Sequence, residues 1–286
     1  MALWYTETYE DHTRYGLKIL RTLHSSKSEY QTIELFETAA MGKTLALDGL
    51  FQTSEGDEYL YHEMIVHPAL CAAAAIEDVL VIGGGDGGSA REVLRHKDVK
   101  RCTMVEIDAQ VVAVCKEHIP HFGAWDDPRL ELRIEDGIAF AKNAAPDSFD
   151  VVILDNSDPV GPSEGLFNRE FYQSIKACLR PGGVFALQSE SPLLMADLFD
   201  SIQRELSACF SKVAPCFGPV PIYGASQWSW TLASENCDVT NPIESRVETI
   251  VHGTRYYNLD IHRGAFAVPN DIARRLAAPA TRADAE

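Results

Sequence analysis

Four apolar residues, Val79-Leu80-Val81-Ile82, run straight into Gly83-Gly84-Gly85-Asp86-Gly87-Gly88. This junction limits the possible folds more than any other stretch of the chain. A short, mostly β-branched run bounded by glycines reads as a buried strand, and residues 89–96 after it read as a helix. Glycines permit the tight turn between them and let another group approach the backbone closely. The same alternation continues downstream. Residues 102–107, 130–134, 151–154, 184–188 and 228–232 read as strands, with helices over 109–119, 137–144, 169–179 and 194–209. Pro181-Gly182-Gly183 is expected to stop the helix over 169–179. Strands alternating with helices imply βαβ units and a parallel sheet.

The first 56 residues read differently. Ile33 and Leu35 alternate with Thr32 and Glu34, and Thr44-Leu45-Ala46-Leu47 meets Asp48-Gly49, a strong hairpin turn, before Leu50-Phe51. A small antiparallel β domain over 1–56 is expected, followed by an α/β domain over 57–286. The second opens on a helical pattern in which Leu60, Met64, His67 and Cys71 fall near one face.

Charge narrows the function. The chain carries 42 acidic against 25 basic residues, a net charge of −17. Nucleic-acid binding needs a positive footprint, so it is disfavoured. A small polycation would instead be attracted by the summed field. The seven cysteines never form C-x-x-C, so neither a zinc site nor a disulfide framework is expected. No apolar run approaches the ~18 residues of a membrane span. The first residues lack the features of a secretion signal. The expectation is a reduced, cytoplasmic protein with no membrane partner.

Acidic residues stand at the ends of successive strands. Gly83, Gly85 and Gly88 satisfy G-x-G-x-x-G, a pattern shared by dinucleotide and adenosine-sulfonium sites. Asp86 inside it would repel a pyrophosphate and attract a cation. Glu106 ends the next strand, where an acidic side chain takes ribose hydroxyls in this architecture. Asp108 is expected to cap the following helix. Asp136, before Gly137, suits either an adenine amino group or a helix cap. Then Phe149-Asp150-Val151-Val152-Ile153-Leu154 leads into Asp155-Asn156-Ser157-Asp158-Pro159. Two carboxylates three residues apart at a strand's carboxyl end could hold a cationic amine and remove its proton. Gln188 leaves another strand at the same edge. Gln31, His62 and Tyr223 are each compatible with a plain structural role when taken alone.

In combination the chain resembles the polyamine aminopropyltransferases, specifically the spermidine synthases, from about Trp4 to Pro269. Carriers of the resemblance are Leu47-Asp48-Gly49, Asp57-Glu58-Tyr59-Leu60-Tyr61-His62-Glu63-Met64, the glycine loop, Val105-Glu106-Ile107-Asp108, Asp155-Asn156-Ser157-Asp158-Pro159 and Arg255-Tyr256-Tyr257-Asn258. The resemblance implies a methyltransferase-like Rossmann domain behind the small β domain, assembled as a homodimer or homotetramer. It implies aminopropyl transfer from decarboxylated S-adenosylmethionine, a co-substrate, to putrescine, with no cofactor and no metal. Gln31, Gly83, Gly85, Asp86, Glu106, Asp136, Gly137 and Pro162 would hold the methylthioadenosine part. Tyr61, His62, Asp86, Asp155, Asp158, Gln188 and Tyr223 would contact the amines, with Asp155 as general base. Cadaverine, agmatine or spermidine could compete as acceptor, because Ile222-Tyr223-Gly224-Ala225-Ser226 departs from the commonest acceptor segment.

Three rivals remain at this level. A methyltransferase shares the glycine loop but leaves Asp86, Asp155 and Asp158 without a joint purpose. Asp86 argues against a nicotinamide dehydrogenase, and Asp155 against a non-catalytic polyamine-binding protein.

Overall fold

The computed structural model describes residues 2–9, 13–157, 161–224 and 227–278. Among these, the strands β1 (Leu3–Tyr9), β2 (Thr13–Lys27), β3 (Thr32–Thr38), β4 (Gly42–Leu47) and β5 (Leu50–Ser54) form one antiparallel sheet in sequence order. Asp48 and Gly49 turn β4 into β5 with φ of 46° and 91°, the left-handed pair that a tight hairpin requires. β1 and β2 were not distinguishable in the sequence. Of the long β2, only Leu17 and Ile19 are buried, so apolar alternation is confined to its middle.

Helix α1 (Glu58–Ala72) follows, then β6 (Asp78–Gly83), α2 (Gly88–Arg95), β7 (Arg101–Glu106), α3 (Ala109–His118), β8 (Leu130–Ile134), α4 (Gly137–Asn143) and β9 (Phe149–Asp155). The chain continues through α5 (Arg169–Cys178), β10 (Leu179–Gln188), α6 (Ala196–Cys209), β11 (Lys212–Gly218) and β12 (Trp228–Ser234). It ends in α7 (Glu244–Ile250), α8 (Leu259–Ala265) and α9 (Asn270–Ala277). The second sheet has the order β11-β12-β10-β9-β6-β7-β8. The five strands β6 to β10 run parallel, and β12 is antiparallel to both its neighbours.

Alternation along the strands divides the core in two. Val79, Val81, Val151, Ile153 and Val184 belong to a cluster with α1. Leu80, Ile82, Val152, Leu154 and Phe185 belong to another with α5 and α6. Both faces are therefore covered, which is why these strands read as unbroken apolar runs. A third cluster joins Ile33, Leu35 and Leu45 of the first sheet to Val111, Val114 and Phe122, fastening that sheet to α3.

One expectation is corrected. The strand over 228–232 is antiparallel rather than part of the parallel set, because β11, absent from the sequence reading, pairs beside it. Pro215 disguises β11, and an edge strand is where a proline is tolerated. Pro181-Gly182-Gly183 follow the end of α5 at Cys178 as expected, and they also lie within β10, where its register to β9 slips between Leu179 and Val184.

All seven cysteines are free thiols. Among the described residues no helix is long and apolar enough to cross a membrane.

Candidate active site

β6 and β9 are neighbours at the middle of the parallel sheet, and the chain departs from them in opposite directions, to β7 and to β10. A crevice opens at the carboxyl ends of such a pair, where ligands settle in open α/β sheets. Here Gly83 is in register with Asp155, and the Gly84 N–H donates to the Asp155 carbonyl at 2.7 Å. A Cβ on Gly83 would stand 2.1 Å from that carbonyl oxygen, and φ is +83°. The close approach that glycine permits is thus partly between two strands of the protein itself. Gly88 serves α1 similarly, since a Cβ there would fall 2.2 Å from the His62 ring.

A cavity of about 220 Å³ occupies the crevice. Gln31, Gly83, Gly85, Glu106, Asp136 and Gly137 border one part of it, and Tyr61, His62, Asp86, Asp155 and Tyr223 also line it. The sequence-derived residues come together apart from three. Gln188 lines an adjoining space of about 20 Å³, with its amide donating to Glu190 at 2.9 Å. Pro162 falls in the short turn Gly161–Leu166. Asp158 lies outside the described residues.

Each side chain is held by its neighbours. Asp108 caps α3 through the Gln110 N–H at 2.9 Å, and its other oxygen takes the Gln31 amide at 3.0 Å and the Ser28 hydroxyl at 2.6 Å. Asp136 caps α4 through Oδ1, accepting from the Ile138 N–H at 2.8 Å. Tyr223 donates to the Gln52 carbonyl at 2.9 Å, and its ring meets Tyr61 edge-on at 5.9 Å. Asp57 anchors that segment by accepting the Ile222 N–H at 2.7 Å and the Ser54 hydroxyl at 2.6 Å. Tyr61 donates to Asp155 Oδ1 at 2.9 Å. Asp155 Oδ2 is buried without a hydrogen-bond partner among the described residues.

Electrostatics separates the two carboxylates. Burial raises Asp155, and the nearby Asp86 charge adds to this, outweighing the help of His62 and of the Ser89 and Tyr61 hydroxyls. Burial would raise Asp86 too, but His62, the Gly88 N–H and Arg91 take it below the ordinary value. One carboxyl is held ionised beside another that binds its proton more tightly, the arrangement that divides anchoring from proton transfer. His62, Asp86 and Asp155 bring a ligating atom each within 4.8 Å of the others. His62 meets carboxylates on both sides, Glu58 through Nδ1 at 2.7 Å and Asp86 through Nε2 at 3.3 Å.

Burial also pushes Glu106 up to about 7, with the charges of Asp108 and Asp155 adding and the Asp108 N–H opposing. A carboxyl raised in the folded state contributes most stability below its unfolded value of 4.5 and loses that contribution as pH rises through about 7. Glu106→Gln should therefore stabilise the unliganded protein by up to about 3 kcal/mol at about pH 8 and by little near pH 5. Urea unfolding at the two pH values would show this, and an equal effect at both would contradict it.

Not singled out in the sequence as site residues are Glu58, which meets His62, Arg91, which braces Glu58, and Gln52, Leu45 and Leu47, which wall the cavity from the first sheet. The i, i+4 spacing of Glu58 and His62 was the available signal for the first.

Comparison with known proteins agrees with this geometry. Residues 58–242 match the spermine/spermidine synthase domain and residues 3–55 the spermidine synthase tetramerisation domain. A polyamine aminopropyltransferase of Prochlorococcus marinus (strain MIT 9313) is 46% identical over 277 residues, 96% of each chain. A spermidine synthase crystallised with the transition-state analogue AdoDATO superposes with a TM-score of 0.93 at 34% identity, covering 96% of this chain and 94% of that one. The spermidine synthase of Thermotoga maritima gives 0.91 at the same identity and coverage. With both of its sheets accounted for by these matches, the chain belongs to the spermine/spermidine synthase family of polyamine aminopropyltransferases.

Proposed function

We propose that the protein transfers the aminopropyl group of decarboxylated S-adenosylmethionine to putrescine, releasing spermidine and 5′-methylthioadenosine, with Asp155 as general base. The observation that carries this is the pair Asp86 and Asp155 lining one cavity at the strand switch, Asp86 tied by His62 and the Gly88 N–H and Asp155 Oδ2 left without a hydrogen-bond partner among the described residues. Putrescine's nitrogen is an ammonium in water and has no lone pair to offer. Asp155 Oδ2 takes one of its protons, and the freed lone pair attacks the carbon next to the sulfonium. The carbon–sulfur bond breaks and its electrons neutralise the sulfur, so methylthioadenosine leaves as a neutral thioether. No metal or cofactor enters this balance. Much of the acceleration comes from aligning nitrogen, carbon and sulfur.

The adenosine part would lie along Gln31, Gly83, Gly85 and Gly137, with Glu106 on the ribose hydroxyls, Asp136 toward the adenine and Pro162 closing that end. Asp86 with His62 would receive the donor's ammonium. Asp158, Tyr61, Gln188 and Tyr223 would serve the acceptor. The space beside Gln188 and Trp228 is about 20 Å³, room for about one water, which supports a short diamine. Exposed Trp4 and Leu20 on the first sheet support assembly into a homodimer or homotetramer through that sheet.

The test is a product assay. With decarboxylated S-adenosylmethionine ¹³C-labelled in its aminopropyl chain and equimolar putrescine, cadaverine, agmatine and spermidine, in the presence of EDTA, mass spectrometry should detect methylthioadenosine and chiefly labelled spermidine. A different dominant amine would reassign the acceptor. No methylthioadenosine from folded, donor-binding protein would discard the reaction.

A further inference from the structure

His62 is 2% exposed and faces a carboxylate with each ring nitrogen, Glu58 through Nδ1 and Asp86 through Nε2. An ionised carboxylate only accepts, so a ring that serves both as donor carries hydrogen at each nitrogen. Glu58 is itself braced. The same oxygen that meets His62 takes Arg91 Nη2 at 2.7 Å, and Arg91 Nε donates to Glu92 at 2.7 Å. Glu92 is fully buried and is held in addition by Arg95 and by His67 at 3.2 Å. A strut of alternating charge thus runs from α2 into α1 and ends on Asp86.

The strut has two consequences at Asp86. Oδ1 accepts the Gly88 N–H at 2.8 Å and Oδ2 faces His62, so both oxygens are tied and the carboxylate cannot rotate freely. Furthermore, Glu58, Glu92 and Asp86 are matched by Arg91, Arg95 and His62, leaving Asp155 as the carboxylate without a cation of its own within this group.

We propose that Glu58, braced by Arg91, is a positioning residue that holds His62 as a donor at both nitrogens and thereby fixes Asp86 to receive the ammonium of the aminopropyl donor. This deepens the aminopropyl-transfer reading and rests on it. The groups facing His62 are Asp57 at the N-cap of α1, Glu58 and Tyr61 from α1, Asp86 from the glycine loop and Asp155 from β9, with Arg91 of α2 behind Glu58. Burial opposes a charged ring, yet Asp86 and Glu58 together raise His62 well above the ordinary histidine value.

Glu58→Gln keeps the shape and an acceptor oxygen but removes the charge. In ¹⁵N spectra of histidine-labelled protein, with His62 assigned by its loss in His62→Gln, the wild-type ring should stay protonated at both nitrogens at about pH 8. In Glu58→Gln it should lose one proton within the ordinary histidine range. The KM for decarboxylated S-adenosylmethionine should rise about 10-fold at about pH 8 and much less at about pH 6, with kcat within about 3-fold, as expected for losing one charged hydrogen-bond partner. Methylthioadenosine affinity should not change, and Glu58→Asp should restore the flat pH dependence. Wild-type His62 titrating in the ordinary range would overturn the proposal, whether or not the variant folds. So would losses equal at both pH values and equal for methylthioadenosine. If wild-type protein cleaves no donor, the reaction reading fails, and the ¹⁵N result decides the locking of His62 separately.

Discussion

Asp155→Asn should lower turnover about 10²–10⁴-fold, the range for one acid–base group, while leaving the fold and methylthioadenosine binding in place. The asparagine keeps an oxygen for the Tyr61 hydroxyl, which now meets Asp155 at 2.9 Å. The strand pairing with Gly83 and Gly84 runs through the backbone and is untouched. What disappears is the capacity of Oδ2 to accept a proton. Because burial raises Asp155 above the usual carboxylate value, wild-type turnover should also fall as pH is lowered through that raised value, and the variant should lack this limb. Single-turnover release of methylthioadenosine separates chemistry from binding. Near-normal rates in the variant would end the assignment of Asp155 as base.

The second large effect is on donor recognition. Asp86→Asn retains an acceptor for the Gly88 N–H at the first residue of α2. It removes the charge that faces His62 at 3.3 Å and that would meet the donor's ammonium. Truncating one member of a buried ion pair costs about 2–5 kcal/mol, or about 30- to 4000-fold in affinity. Decarboxylated S-adenosylmethionine should be weakened by that amount. Methylthioadenosine, which carries no ammonium, should lose much less. The variant should also discriminate less against ordinary S-adenosylmethionine, whose carboxylate Asp86 would repel. Isothermal titration with the three ligands checks this, and parallel losses for all of them would contradict the role given to Asp86.

These residues were legible in the sequence because each ends a strand whose apolar run is unmistakable. Val79 to Ile82 and Val151 to Leu154 are buried on both faces, so their pattern survives without any context, and the residues that follow them must lie at one edge. Asp108 was readable as a cap for the same local reason. β11 was hidden because an edge strand tolerates Pro215, and β2 because its sides are mostly exposed. Arg91 and Gln52 act across long sequence separations, Arg91 reaching Glu58 and Tyr223 reaching Gln52. Spacing along one element cannot reveal such partners. Gln188 was placed at the correct sheet edge, but its amide is engaged by Glu190, a contact set by the positive φ of 67° at Glu190 that no propensity would suggest.

The seating of Asp155 against Gly83 and Gly84 bears on how this protein would fail when heated. Mobile catalytic loops commonly open well before the rest of a molecule, so inactivation precedes melting. Here Asp155 ends a strand flanked on both sides, and its carbonyl is clamped by the next strand's glycine amide. Displacing it means prising apart the middle of the parallel sheet, the least cheaply opened part of the architecture. Asp155 is therefore as durable as the fold, and under the proposed reaction a loss of activity at milder temperature would originate elsewhere in the site.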